Sequence, residues 1–283
     1  MSEPEPALTI VSLIHEPSLE ASVTRWLDGQ QRFRLLRCEA GADPVPELER
    51  LKDSCDALLI QQGQLDQEAA QTLQERGLLL PAVVIGAVRG KIEYHSDEIH
   101  LPPDQLEQLS YSLDAAISRS LSRGLAVVRS DGEEGQAEPM PDRWRLANRL
   151  QARLGLLGVF YKRDPSRFLR NLDPQSADVL LASLQRTYRD LLLSYFRDPA
   201  AANQALESFV NTAFFSDLPI TKAVEIHMDL IDSFSTQLRL EGQKSDFLQD
   251  YRLALLDVMA HLCEMYRRSI PVDAPLASSA QGG

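Results

Sequence analysis

Over the first 125 residues, short apolar runs of strand length alternate with stretches of helical period. Residues 8–14 (LTIVSLI), 33–38 (FRLLRC), 57–60 (ALLI) and 82–86 (AVVIG) read as strands, and residues 98–101 are a candidate fifth. Residues 18–28 and 67–76 read as helices, with Gly29 and Gly77 placed as stops. Strands alternating with helices predict a parallel sheet flanked by helices, an α/β receiver-like, doubly wound order. Pro103 and Asp104 open a long helix whose apolar row is Leu106, Leu109, Leu113, Ile117 and Leu121. The stretch 87–97 is too short for the fourth helix of such a fold, so a loop is expected there.

The pattern then changes. Residues 125–128 form a β-prone island, and residues 130–141 (SDGEEGQAEPMP) have the composition of a solvated linker. Beyond it the chain reads as all-α. Residues 142–157 form a first helix, with Trp144, Ala147, Leu150 and Leu154 on one side. Asp173 as N-cap with Pro174 starts a second, through Leu180, Leu184, Tyr188, Leu191 and Tyr195, ending before Pro199. Residues 202–215 form a third, and Pro219 begins a fourth with Val224, His227, Ile231, Phe234 and Leu238 on its apolar row, broken by Gly242. The last, within residues 250–271, carries two opposed faces: Leu255, Val258, Met259, Leu262 and Tyr266 against Asp257, His261, Glu264 and Arg268. The division expected is a receiver-like domain at 1–124, a linker at 125–141, a helical bundle at 142–270 and a disordered tail at 271–283.

Charge supports that division. Of 41 acids and 29 bases, residues 1–139 hold 24 acids and 12 bases, whereas residues 140–283 hold 17 of each. An acidic first half repels phosphate, which argues against nucleic acid as a partner. Between residues 140 and 170 eight bases (Arg143, Arg145, Arg149, Arg153, Lys162, Arg163, Arg167, Arg170) face only two acids, so this stretch is either a site for an acidic partner or a solvated helix face. No apolar run reaches the roughly 20 residues of a membrane span, and the acidic start MSEPEP is unlike a secretory signal, so a cytoplasmic protein is expected. Cys38, Cys55 and Cys263 have neither disulfide-framework nor zinc-site spacing and read as buried thiols.

The chemistry of a working receiver is missing. Phosphoryl transfer needs an aspartate at the C-terminal end of the third strand and further acids at the end of the first, because the crevice of an open α/β sheet lies there. Here the first strand ends in His15 and Glu16 and the third in Gln61 and Gln62, while Asp56 precedes the third strand. With no GxGxxG, P-loop, GxSxG or HExxH either, the chain reads as a binding and signalling protein and not an enzyme.

His227 lies on an apolar row and reads as a core histidine bonded to a neighbouring side chain or carbonyl. His261 shares its polar row with Asp257 and Glu264, which makes it either a hydrogen-bonding residue for a partner or an exposed histidine with no role. Met259 and Met265 flank it, and methionine serves either adaptable peptide contact or core packing. Phe209, Phe214, Phe215 and Tyr266 are candidate contacts for dimerisation.

Three long strings, 158–172 (GVFYKRDPSRFLRNL), 221–234 (TKAVEIHMDLIDSF) and the closing 250–271, resemble the KaiA family of circadian clock proteins, and the resemblance extends more weakly over the whole chain. It implies a pseudo-receiver followed by a four-helix bundle that forms a homodimer and binds the C-terminal tail of the ATPase KaiC, favouring KaiC autophosphorylation. His261 matches the histidine at the centre of that surface, and Arg239, in LRLEG, matches an arginine associated with function. By position in the motif, Glu225, Asp229, Glu264 and Arg268 belong to the same site, with Met265 beside them. The family also implies capture by KaiB assembled on KaiC, for which residues 125–129 are a candidate strand, and quinone sensing by the pseudo-receiver, for which no pocket is recognisable in the sequence. The rival readings are a phosphorylation-dependent response regulator with a helical output domain and an enzyme with a site at His261.

Overall fold

The computed structural model describes residues 8–28, 32–38, 43–130, 163–242 and 246–270. Five strands, β1 (Leu8–Leu13), β2 (Phe33–Arg37), β3 (Ala57–Gln61), β4 (Ala82–Ile85) and β5 (Ile99–Leu101), form one parallel sheet in the order β2-β1-β3-β4-β5. Helices α1 (Pro17–Asp28), α2 (Pro44–Leu51), α3 (Gln67–Glu75) and α4 (Leu109–Ser130) flank it. The strands lack alternation because both faces are covered: every residue of β3 but Gln61, and all of β4 and β5, is buried. Gly77, at φ 72°, closes α3 as expected, its N–H reaching the Gln74 carbonyl while Leu78 reaches Leu73.

Two local features depart from the sequence reading. α2 was not foreseen; Asp43 caps it, its side chain accepting from Val45 N at 2.9 Å, with Pro44 in the first turn. Residues 125–128, read as a β-prone island, instead continue α4, which runs unbroken to Ser130. The apolar row of α4 keeps period through Leu121, and a four-residue island at the end of a helix already under way continues it.

The segment between β4 and β5 carries no helix, as expected, and is organised by one carboxylate. Glu98 accepts from the main-chain N–H of Glu93 (2.8 Å), Tyr94 (2.7 Å) and His95 (3.2 Å), and its Oε1 lies 2.7 Å from His100 Nε2. Burial alone would raise its pKa, but these hydrogen bonds hold it below the ordinary value.

In the second half, α5 (Pro174–Ser194), α6 (Pro199–Phe215), α7 (Ile220–Leu240) and α8 (Arg252–Ser269) are described. Asp173 and Asp198 cap α5 and α6, each followed by proline. The helix expected at 142–157, the linker residues 131–141, Gly29, the bases Arg143, Arg145, Arg149, Arg153 and Lys162, and the tail 271–283 lie outside the described residues.

α6 is covered on almost all sides from Ser208 to Phe215 and keeps polar Asn203, Gln204 and Glu207 at least partly exposed in its first half. It packs on α5 and α8 within its own half, and also on α4 and β5. β5 is an edge strand, yet wholly buried, because α6 lies against it. Contact is close: Gly90, at φ +69°, donates to Gln204 Oε1 at 2.8 Å, and a Cβ there would stand 2.3 Å from that of Ala200. Phe209, Phe214 and Phe215, proposed above as dimer contacts, are at most 1% exposed inside this packing, so they are core residues.

Two buried polar groups on the α4 side fix the register between the halves. Gln108 Nε2 reaches the hydroxyls of Ser183 (2.7 Å) and Thr187 (2.8 Å), while Thr212 donates to Gln108 Oε1 at 2.7 Å. Asp114, 3% exposed, pairs with Arg32 at 2.8 Å and with Arg167, whose guanidinium also lies over the Tyr111 ring. Arg163 bonds Asp217 at 2.8 Å between the rings of Phe168, Phe214 and Tyr266, and Arg170 bonds Asp217 at 3.0 Å. Arg163 and Arg167 are therefore neither a free acidic-partner site nor a solvated face, whereas Arg170 stays exposed to solvent beside Asp217. Replacing Asp114 with asparagine leaves two guanidiniums facing a neutral group and is expected to cost roughly 3 kcal/mol, read as a lowered midpoint of chemical unfolding.

Candidate functional site

Three helix faces meet around an open cleft of about 580 Å³. α8 contributes Ala260, His261, Glu264, Met265 and Arg268; α6 contributes Glu207, Val210, Asn211 and Phe215; α4 contributes Ala115, Arg119 and Ser122. Each set recurs at three- or four-residue spacing, so each is one stripe of its helix. The loop before β5 adds Ser96 and Asp97. Apolar side chains make the floor, and charged or amide groups stand around it.

The two faces of α8 fall as the spacing predicts. Ala254, Val258 and Leu262 are buried and Tyr266 packs on Phe214, while Asp257, His261 and Arg268 are exposed and Glu264 is half-buried. The neighbours of His261 are engaged elsewhere. Asp257 accepts from the Tyr195 hydroxyl, and Glu264 is clasped by Arg267 (2.6 and 2.7 Å) and Arg268 (2.7 Å). These hydrogen bonds, Arg267's first, hold the Glu264 carboxyl at about 2, so it stays ionised at any physiological pH. His261 instead places Nδ1 2.8 Å from the Asp257 carbonyl. That contact makes Nδ1 the protonated nitrogen of the neutral ring and leaves Nε2 free to accept. The sequence reading set His261 between two carboxylates, whereas its hydrogen bond goes to the main chain.

The structure thus brings His261, Glu264, Met265 and Arg268 together and leaves three expected residues apart. Glu225, Asp229 and Arg239 are exposed along α7 and line no part of this cleft. Glu225 is held by Lys222 at 2.6 Å. Arg119 and Asn211 were missed by sequence reasoning. Arg119 looks like any solvated base beside the apolar row of α4, but an asparagine within the apolar run of α6 is a legible signal, since a buried amide needs a partner.

His227 is a core histidine, as expected: 5% exposed, with Nδ1 3.1 Å from the Tyr188 hydroxyl. Of the cysteines, Cys38 and Cys55 are buried but Cys263 is exposed on α8, which corrects its reading as a buried thiol. Among the described residues no cluster of three or more His, Cys, Asp or Glu is placed to hold a metal ion, and no helix is long and apolar enough to cross a membrane.

The crevice where a receiver is phosphorylated is occupied by amides. Gln61 Oε1 accepts from the N–H of His15 (3.0 Å) and Glu16 (3.1 Å), and Gln62 exchanges hydrogen bonds with the main chain of Ala87 (3.0 and 3.2 Å). Asp56 sits at the opposite end of β3, fully buried, accepting from Thr9 N at 2.8 Å. The fold and this site define a receiver-like domain without a phosphoacceptor, joined to a helical domain with an open polar cleft.

Comparison with known proteins agrees over both halves. A family model described as the circadian clock protein KaiA N-terminal domain matches residues 8–123, and one described as the KaiA C-terminal domain matches residues 152–273. The circadian clock oscillator protein KaiA of Parasynechococcus marenigrum (strain WH8102) is 56% identical over 282 residues, covering 98% of this chain and 94% of that protein. The protein of the same name from Synechococcus elongatus (strain ATCC 33912 / PCC 7942 / FACHB-805) is 43% identical over 254 residues, covering 85% and 89%. A crystal structure of the C-terminal domain of Thermosynechococcus elongatus BP-1 KaiA shares 48% identity, covering 36% of this chain and 95% of that one, with a TM-score of 0.32. The chain belongs to the KaiA family of circadian clock proteins.

Burial lowers the pKa of His227 from the ordinary 6.5, because the folded core disfavours its charged form. The unfolded chain takes up that proton as pH falls through about 6.5 while the folded one resists, so stability held above that pH drains away below it. Unfolding midpoints at pH 8 and pH 5 are expected to differ less in His227→Phe than in the unaltered chain. The variant itself should lose about 1–3 kcal/mol at pH 8, from the unpartnered Tyr188 hydroxyl.

Proposed function

We propose that this protein is a cytoplasmic circadian clock regulator that acts as a homodimer, holds the C-terminal tail of KaiC and so stimulates KaiC autophosphorylation without catalysing a reaction itself. The observation that carries this reading is the polar stripe of α8, where His261, Glu264 and Arg268, the residues there matched by the family resemblance, line one open cleft with Met265 beside them. His261 Nε2 offers an acceptor to a peptide N–H, Glu264 presents a fixed negative charge, and Arg268, bonded to Glu264, brings a positive charge to the same rim. Met265 adds an adaptable apolar contact. Arg239, Glu225 and Asp229 stay within the proposal as a separate exposed patch on α7, reached by a longer or second segment of partner.

Stimulation without catalysis follows from differential affinity. A surface that binds the withdrawn tail better than KaiC's own body does shifts KaiC toward its phosphorylating state by the difference, which needs only a few kcal/mol. In the opposite phase, KaiB assembled on KaiC would sequester the protein. The stretch 125–129 offered to KaiB as a strand is helical here, so that part of the expectation is withdrawn.

Dimerisation is supported by apolar surface left over after folding. The second half of α7 buries none of its side chains, Ile231, Phe234 and Leu238 being only half-buried, and Leu193, Phe196, Leu253 and Leu256 are 47–61% exposed on α5, α8 and the turn after α5. No observation favours the response-regulator reading, because the place of its aspartate is filled by Gln61.

Calorimetry of the full chain with a peptide of the KaiC tail should show binding that His261→Ala weakens roughly five- to tenfold, with unchanged circular dichroism. Unaltered affinity in that variant would remove His261 from the site. Light scattering should give a dimer mass that Leu256→Glu lowers toward the monomer; a monomeric unaltered chain would refute the dimer.

A further inference from the structure

Two histidines are buried around the segment that leads into β5, and their contacts answer differently to a proton. His100, 4% exposed, places Nε2 2.7 Å from a Glu98 oxygen, and an N–H there donates whether the ring is neutral or charged. His95, 9% exposed, is held on both sides by the main chain. Its Nε2 lies 2.7 Å from the Leu80 carbonyl, which can only accept, so Nε2 carries the hydrogen. Its Nδ1 lies 3.1 Å from the Asp97 N–H, which can only donate, so Nδ1 is bare. The two contacts together fix one neutral tautomer. A proton added at Nδ1 would set one N–H against another.

What the ring holds is the rim of the cleft. Ser96 and Asp97 line it, just before the Glu98 carboxylate that gathers the N–H groups of Glu93, Tyr94 and His95. We infer that His95 is a proton-operated latch on that rim: neutral, it ties the Asp97 main chain back to the entrance of β4 at Leu80, and charged, it lets that main chain go. The charged groups around the ring are Asp97 and Glu98 on its own loop and, on the cleft side of α4, Arg119, paired with Glu207 at 3.3 Å. α4 otherwise offers Ala116 and Ser120, the segment before β4 offers Leu79, Leu80 and Pro81, and the Tyr94 ring packs on the imidazole with centroids 4.4 Å apart. Glu98 is committed to three N–H groups and His100, so the charged ring turns to the Asp97 carboxylate and trades an acceptor's part toward that residue for a donor's. The latch works whatever the cleft holds. It makes the receiver-like half, whose crevice is closed by glutamines, responsive to protons.

Hydrogen exchange of residues 93–98 in the full-length chain, corrected for the intrinsic effect of pH on exchange, tests this between pH 8 and pH 5, an interval that spans ordinary histidine titration at about 6.5. Protection is expected to fall roughly fivefold or more in the unaltered chain, the worth of one hydrogen bond, and to stay level in His95→Gln, which takes up no proton. Equal protection at both pH values, or the same loss in His95→Gln, refutes the latch. Should His95→Gln fail to fold, nitrogen NMR of the unaltered chain labelled at histidine decides. The expected result is a bare Nδ1 on His95 at pH 8 and a ring titration whose midpoint coincides with the loss of protection. A proton on Nδ1 at pH 8, or a ring still neutral at pH 5, overturns the inference.

Discussion

A helix that buries most of its side chains cannot sit at a surface, and α6 is such a helix. Twelve of its seventeen residues are buried, which is possible only because two halves of different architecture both close upon it. α5 and α8 cover it from the helical half, and α4 and β5 from the sheet. The rest of the arrangement follows. Because α4 and α8 both pack on α6, their outer stripes face each other across a gap, and the cleft is that gap. A surface helix in the place of α6 would bring neither together.

Charges and amides from distant parts of the sequence then lock what hydrophobic burial leaves free to slide. Asp114 can pair with Arg32 and Arg167 in one alignment of the halves, and Gln108 needs hydroxyls from α5 and α6 at once. The string around DPSR that carries the family resemblance is therefore largely architectural: Arg163, Arg167 and Arg170 hold Asp217 and Asp114 and stack on aromatic rings. The chemistry offered outward lies in the other string, on α8. One segment of the chain builds the frame, and another presents what the frame holds open.

That division explains what could be read in advance. Strand runs, proline-capped helix starts and the two-faced final helix are local patterns, and each appears within a few residues of its expected place. The polar stripe of α8 was legible for the same reason. Partnerships between distant segments were not. Nothing near Arg119 signals that α6 will come to lie beside it, and Phe209, Phe214 and Phe215 look like spare apolar surface until the sheet half is known to cover them. α2 was hidden by the two prolines in its first turn, which suit a helix start as well as a loop. The run 125–128 was read by β-branched content, which a helix already under way overrides.

The close approach of Gly90 to Ala200 has one further implication. Strand β5 borrows its shelter from a helix encoded a hundred residues downstream. Severing the polypeptide between the halves would strip the β5 margin of the sheet and lay bare the side of α6 that faces it, and each newly opened surface would be free for a second copy or another partner to cover.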